Sequence, residues 1–173
     1  MENASKNTYL QYLATYLLLV ALVFGGIFWK LEQNKKGSTI LSIAVAADLP
    51  EAIQLFYRSP DEMFDEENMI IEKIGGKRRV NNLVFKIPTE ASHILLGVSR
   101  NGKQKNVLID NISIKDYNRE KSYKGQELLN KFKPNKFISN PKVEGDKVVL
   151  SPRKIDKAYN PYFQEIAIED LFN

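Results

Sequence analysis

The chain has 173 residues, of which 43% are hydrophobic and 27% charged, with a formal net charge of +4. That length fits one domain, or one and part of another, with enough apolar residues to bury a core. The absence of cysteine excludes disulfides, thiolate metal sites and a cysteine nucleophile. Lys and Arg are scattered, with tight clusters at Lys35-Lys36 and Lys77-Arg78-Arg79. No basic stripe with interleaved aromatics is present, which speaks against nucleic acid as a partner.

Residues 1–8 read as a short tail. From Leu10 to Trp29, LQYLATYLLLVALVFGGIFW, the strongly polar side chains are Gln11 and Thr15 alone. A run of that length, at ~1.5 Å per residue, covers ~30 Å, the hydrocarbon thickness of a bilayer. Tyr9, Tyr12 and Tyr16 at one end, and Phe28, Trp29 and Lys30 at the other, match interfacial anchors. A core-facing soluble helix would carry a polar face, and residues 17–28 carry none. A cleaved signal peptide would have a shorter apolar run followed directly by a small-x-small site. The pattern therefore predicts one uncleaved transmembrane helix over 9–30 and a linker over 31–37. Ala14, Ala21 and Gly25 share one helical face, and Ala21-x-x-x-Gly25 lets a second helix approach closely. The expected partners of this segment are the lipid bilayer and a membrane protein.

Beyond Gly37, short runs of Ile, Val, Leu and Phe alternate with turn signals, the pattern of an all-β sandwich or barrel. The predicted strands are Thr39 to Ala47, Ala52 to Arg58, Met69 to Ile74, Leu83 to Ile87, His93 to Ser99 and Val107 to Lys115. Asn101-Gly102 marks a turn. Apolar parity slips between Ile109 and Ile112, which predicts a bulge near Asp110-Asn111. Parallel βαβ crossovers have no room here, so the sheets must be antiparallel. A sandwich domain over 38–118 is expected, followed by an extension over 119–173. The extension holds a short helix from Gln126 to Phe132, a hairpin turning at Gly145-Asp146, and a last strand from Tyr162 to Ile168. It either packs on the sandwich or starts a second module.

Several elements of this region resemble a β-sandwich module of bacterial cell-surface polysaccharide and glycosyltransferase membrane proteins. They are Gln54-Leu55-Phe56-Tyr57, the acidic loop from Asp61 to Asn68, Val84-Phe85-Lys86-Ile87-Pro88, and Asp110-Asn111-Ile112-Ser113-Ile114, with Asn160-Pro161-Tyr162-Phe163 further on. The strand ending Gly97-Val98-Ser99-Arg100 departs from that outline, which carries an acid there. The resemblance spans residues 40–116. It implies a carbohydrate-binding-module-like jelly roll, outside the cytoplasm, in proteins that handle surface glycans, and it carries over no catalytic residues.

Five carboxylates crowd the loop after Tyr57: Asp61, Glu62, Asp65, Glu66 and Glu67. Asp61, Asp65 and Glu66 are the candidate oxygen ligands of a calcium site, but the spacing is not that of an EF-hand and no glycine is present. The loop reads first as the solvated tip of a hairpin, with a calcium site or a partner-facing acidic patch as alternatives. His93, the one histidine, opens an apolar strand and reads as a structural edge residue. No nucleophile elbow, phosphate loop or facing carboxylate pair is visible. No catalytic, cofactor or metal residue is therefore assigned.

The sequence is thus read as a non-catalytic single-pass membrane protein. Its jelly-roll-like sandwich binds a glycan or a protein partner in cell-envelope polysaccharide assembly. The alternative is an accessory or scaffold subunit of a larger membrane complex. Lys30, Lys35 and Lys36 after the helix, against Lys6 before it, favour a cytoplasmic domain by literal count. The module type and a signal-anchor insertion favour the extracytoplasmic side, which is the expectation adopted.

Overall fold

The computed structural model describes residues 15–27, 29 and 39–173. The chain divides into two compact units, Met1–Gly37 and Ser38–Asn173.

In the first unit residues 15–27 form helix α1, and residue 29 is also helical. Every side chain along α1 is exposed except that of Val20, which is half-buried. The rest of the span 9–30, the tail 1–8 and the linker 31–37 lie outside the described residues. Among the described residues, no helix is long and apolar enough to cross a membrane.

The second unit is built from β1 (Thr39–Ala47), β2 (Glu51–Arg58), β3 (Met69–Ile74), β4 (Asn81–Ile87), β5 (His93–Gly97), β6 (Val107–Lys115), β7 (Glu120–Tyr123), helix α2 (Gly125–Lys131), β8 (Ile138–Glu144), β9 (Lys147–Pro152) and β10 (Ile166–Ala167). A 3-10 turn, Glu169–Leu171, follows. The strands form two antiparallel sheets. One runs β4-β1-β6-β9-β8, with β7 also paired to β6, and the other runs β10-β5-β2-β3.

Period-two alternation generates the sandwich. Leu41, Ile43 and Val45 of β1, Leu83, Phe85 and Ile87 of β4, and Ile53 and Leu55 of β2 all point inward and are buried. On β6 strict alternation would turn either Ile109 or Ile112 to solvent. Ala44 pairs with Asn111 and Val45 with Ile109, so Asp110 is the extra residue of a bulge. The bulge resets the parity, and both isoleucines reach the core, 1% and 0% exposed.

The segment 119–173 belongs to this same unit, so a domain boundary after 118 would cut through the β6–β7 connection. β7, β8 and β9 extend the first sheet, and β10 pairs with β5 in the second. Helix α2 supplies Leu128, which is buried, as is Phe132 just beyond it. Tyr123, Phe132 and Phe163 stack edge to face, with ring centroids 5.7 Å apart in each successive pair. The buried Tyr123 hydroxyl donates to the Leu171 carbonyl, tying the 3-10 turn to the core. Gly125 has a φ of +47°, and a Cβ there would stand 3.0 Å from the Gly145 carbonyl oxygen, so this tight junction needs glycine.

Candidate functional site

Antiparallel topology sorts the connections between two ends of the sandwich. The β1–β2, β3–β4 and β5–β6 loops emerge at one end, joined by the segment after β9. The β2–β3 and β6–β7 loops and the C-terminus emerge at the other, where the chain enters β1.

The first end is organised by two acids and a glutamine. Glu51 is 6% exposed. Its Oε1 accepts from the backbone N–H groups of Ala52, Arg100 and Asn101 at 2.9, 2.7 and 3.1 Å. Its Oε2 accepts from Ser99 Oγ at 2.5 Å. The single Ser99 proton is committed to Glu51, so the Tyr159 hydroxyl, 2.6 Å away, is the donor to Ser99. Burial pushes the Tyr159 hydroxyl upward in pKa, against the pull of the Ser99 hydrogen bond. This chain joins β2 to the loop after β5 and to the segment after β9.

Asp48 performs the same task one loop away. It accepts from Arg78 Nε at 2.7 Å and from the Asn106 N–H at 3.2 Å. The Arg78 hydrogen bond holds its carboxyl below the usual carboxylate range, with burial opposing. Gln104, also buried, accepts from the Leu49 N–H at 3.1 Å and donates to the Asn106 carbonyl. A Cβ on Gly76 would stand 2.7 Å from the Leu49 carbonyl carbon, so glycine is required where these two backbones meet. These bonds hold the loops as one rigid surface.

That surface is cationic. Three Lys or Arg residues stand on each of three loops, at 77–79, within 100–105 and within 153–157, and all nine are exposed. Among the described residues, Arg78 alone of them is in an ion pair, with Asp48. Lys77, Arg78, Asp156 and Lys157 all have positive φ, 66°, 56°, 48° and 70°. Left-handed backbone at such residues costs ~1–2 kcal/mol each, so the strain in these loops is held by the surrounding bonds. Beside Arg78 a cleft of about 270 Å³ runs over the outer face of the first sheet. Lys142, Glu144, Asn106 and Ser151 line it above Leu108 and Val149.

The opposite end is acidic. Asp65 Oδ1 accepts from the Asn68 N–H at 2.8 Å, and Glu62 Oε2 from the Ser59 N–H at 3.3 Å. Arg58 donates to the carbonyls of Ser59, Pro60 and Glu62 while pairing with Glu165 at 2.5 Å. Asp61 and Glu66 are exposed on the same β2–β3 loop. No three His, Asp or Glu residues among those described group closely enough to hold a metal ion. Arg119 clamps Asp116 at 2.6 Å and Glu169 at 2.7 Å, over the Phe172 ring. Burial works to raise Asp116, and hydrogen bonds from Arg119 and two backbone N–H groups outweigh it, leaving its pKa lowered. Glu169 is lowered by the Arg119 hydrogen bond.

The second sheet has an apolar outer face. Phe56 and Tyr162 meet at 5.8 Å and 75°, and the Tyr162 ring lies on Gly97, where a Cβ would stand 2.7 Å from it. Met69, Ile71 and Leu95 share this face by register. His93 pairs with Arg58 on one side and Ala167 on the other, so β5 is an inner strand and not an edge. Of the helix-packing residues, Ala21 and Gly25 are exposed on α1, and Ala14 lies outside the described residues.

Sequence reasoning missed Glu51 and the convergence of the loops. Both left a signal. Glu51 is two residues before Ile53, in the inward phase of β2, where an acid is costly unless its carboxylate is fully hydrogen-bonded. The basic loops alternate with acidic ones along antiparallel strands that cross between the two sheets, which sends them to opposite ends. No protein-family model matches the chain, and no curated protein or solved structure shows significant similarity to it.

Proposed function

We propose that this chain is a non-catalytic, single-pass membrane protein that displays its sandwich outside the cytoplasm. There the sandwich binds a glycan in cell-envelope polysaccharide assembly. The observation that carries a binding role is the rigid loop end. Glu51, Asp48 and Gln104 commit their polar atoms to holding loops in place, and the loops present unpaired cations to solvent. Such preorganisation lowers the entropy lost on binding. Support for the anchor comes from α1, whose Leu, Val and Phe side chains at positions 17–24 are mostly 55–65% exposed. In water that surface would be unfavourable at ~25 cal/mol per Å², whereas lipid solvates it.

The test is isothermal titration of the full chain in neutral detergent against a panel of neutral and acidic polysaccharides. The reading requires saturable binding to at least one of them. The scaffold reading draws on the apolar outer face around Phe56, Leu95 and Met69. It predicts instead a stoichiometric membrane-protein partner in a mild-detergent pull-down, lost on Phe56→Ser, with no glycan bound.

A further inference from the structure

We infer that the basic loop end is a docking surface for a polyanionic polysaccharide, one bearing carboxylates along its chain. This rests on the glycan reading above and names the class of glycan and the place where it binds. Three features converge. The first is charge separation. Nine exposed cations gather at one end, against the exposed acids Asp156, on one of the same loops, and Glu144, beside Arg78, while Asp48 is paired and Glu51 is buried. The other end carries the five acids of the β2–β3 loop, and three of its cations, Arg58, Lys115 and Arg119, are in ion pairs. A modest net charge of +4 therefore hides two ends of opposite sign, and an anion is drawn to one end only.

The second feature is the strain already described. Both positive-φ pairs fall on cationic loops, so the backbone is held in a costly form where the charges are displayed. The third concerns ligand type. Lys77, Arg79, Arg100, Lys103 and Lys154 are all exposed, while no aromatic ring of these loops is. Nucleic-acid bases want exposed aromatic rings, and protein hot spots favour Trp, Tyr and Arg; the apolar side chains exposed here, Leu49 and Val80, are aliphatic, and a flexible polymer of spaced carboxylates needs no ring.

The experiment titrates the full chain in neutral detergent with polygalacturonate. Neutral dextran, oligothymidylate and vesicles containing phosphatidylglycerol are run beside it. We expect polygalacturonate to bind tightest, with affinity falling at least about tenfold between ~50 and ~200 mM salt as counterions are released. The triple variant Arg100→Glu, Lys103→Glu, Lys105→Glu and, independently, the double variant Arg79→Gln, Lys154→Gln should each weaken it about fivefold or more. Lys86→Gln with Lys115→Gln, at the acidic end, should leave it unchanged, and circular dichroism confirms folding of each variant. Equal, salt-insensitive binding of dextran would overturn the polyanion inference while the glycan reading stands. Tighter binding of oligothymidylate or vesicles would overturn both, and no binding of polygalacturonate by folded protein would overturn the polyanion inference alone. Equal losses from the control pair would overturn the location.

Discussion

Replacing Glu51 with alanine removes one buried acceptor that serves three backbone N–H groups and the Ser99 hydroxyl. A hydrogen bond to a charged acceptor contributes ~1.5–3 kcal/mol, and a buried donor left without a partner costs ~1–3 kcal/mol. The losses are not all complete. Arg100 is an exposed residue and Asn101 half-buried, so water reaches their N–H groups in the variant. Ser99 is 4% exposed; its hydroxyl and that of Tyr159 still bond each other, but one of their two protons loses its acceptor. The expected cost is about 3–4 kcal/mol, a large part of the ~5–15 kcal/mol that holds a domain together. For a unit of this size that corresponds to a melting temperature lower by roughly 10 °C. Glu51→Gln keeps one carbonyl oxygen for the backbone donors, and Ser99 can turn its proton to Tyr159, so about 1–2 kcal/mol is expected. Urea denaturation of the unit 38–173, followed by far-ultraviolet circular dichroism, measures both. An alanine variant within about 1 kcal/mol of the parent would refute the organising role of Glu51.

Gly97→Ala drives a methyl group against the Tyr162 ring and Gln54 Cβ. It should cost ~1–3 kcal/mol, measured by the same unfolding curve, and Tyr162→Ala should relieve the clash. Asp48, Asp116 and Glu169 all have folded-state pKa values below their ordinary 3.8 to 4.5. The unfolded chain therefore binds more protons, and the stability they contribute is present above that range and lost as pH falls through it. Melting temperature should be flat from neutral to about pH 5 and fall below about pH 4. Millimolar calcium should leave the melting temperature of the parent unchanged, and also that of a variant with Asp61→Asn, Asp65→Asn and Glu66→Gln. A calcium-dependent rise in the parent alone would restore the metal site.

Much of the sandwich was legible because one-sided burial imposes a period of two. The bounds of β1, β3 and β6 match the alternating runs Thr39 to Ala47, Met69 to Ile74 and Val107 to Lys115. The slip between Ile109 and Ile112 located the bulge within one residue. The last strand was overread. Tyr162 and Phe163 make single bridges to Gly97 and Pro134, and Ile168 already leads into the 3-10 turn, so only Ile166–Ala167 pair as a strand. Apolar spacing does not distinguish a ladder from separate bridges. The membership of 119–173 in the same unit was illegible for a related reason. The pairing of Val107 with Leu150 and of Ile94 with Ile166 is non-local and leaves no trace in either segment alone. The basic end was hidden because charges distant in sequence meet only once the topology is known.

The central claim is that α1 belongs to an anchor holding the sandwich on the extracytoplasmic side. A Met63→Cys variant tests it most directly. The native chain has no cysteine, and Met63 is 85% exposed on the β2–β3 loop. Intact spheroplasts would be treated with an impermeant maleimide, and the membranes then washed with alkaline carbonate. The account predicts labelled protein that stays in the washed membrane pellet. Labelling only after lysis, or release of the labelled protein by carbonate, would contradict it.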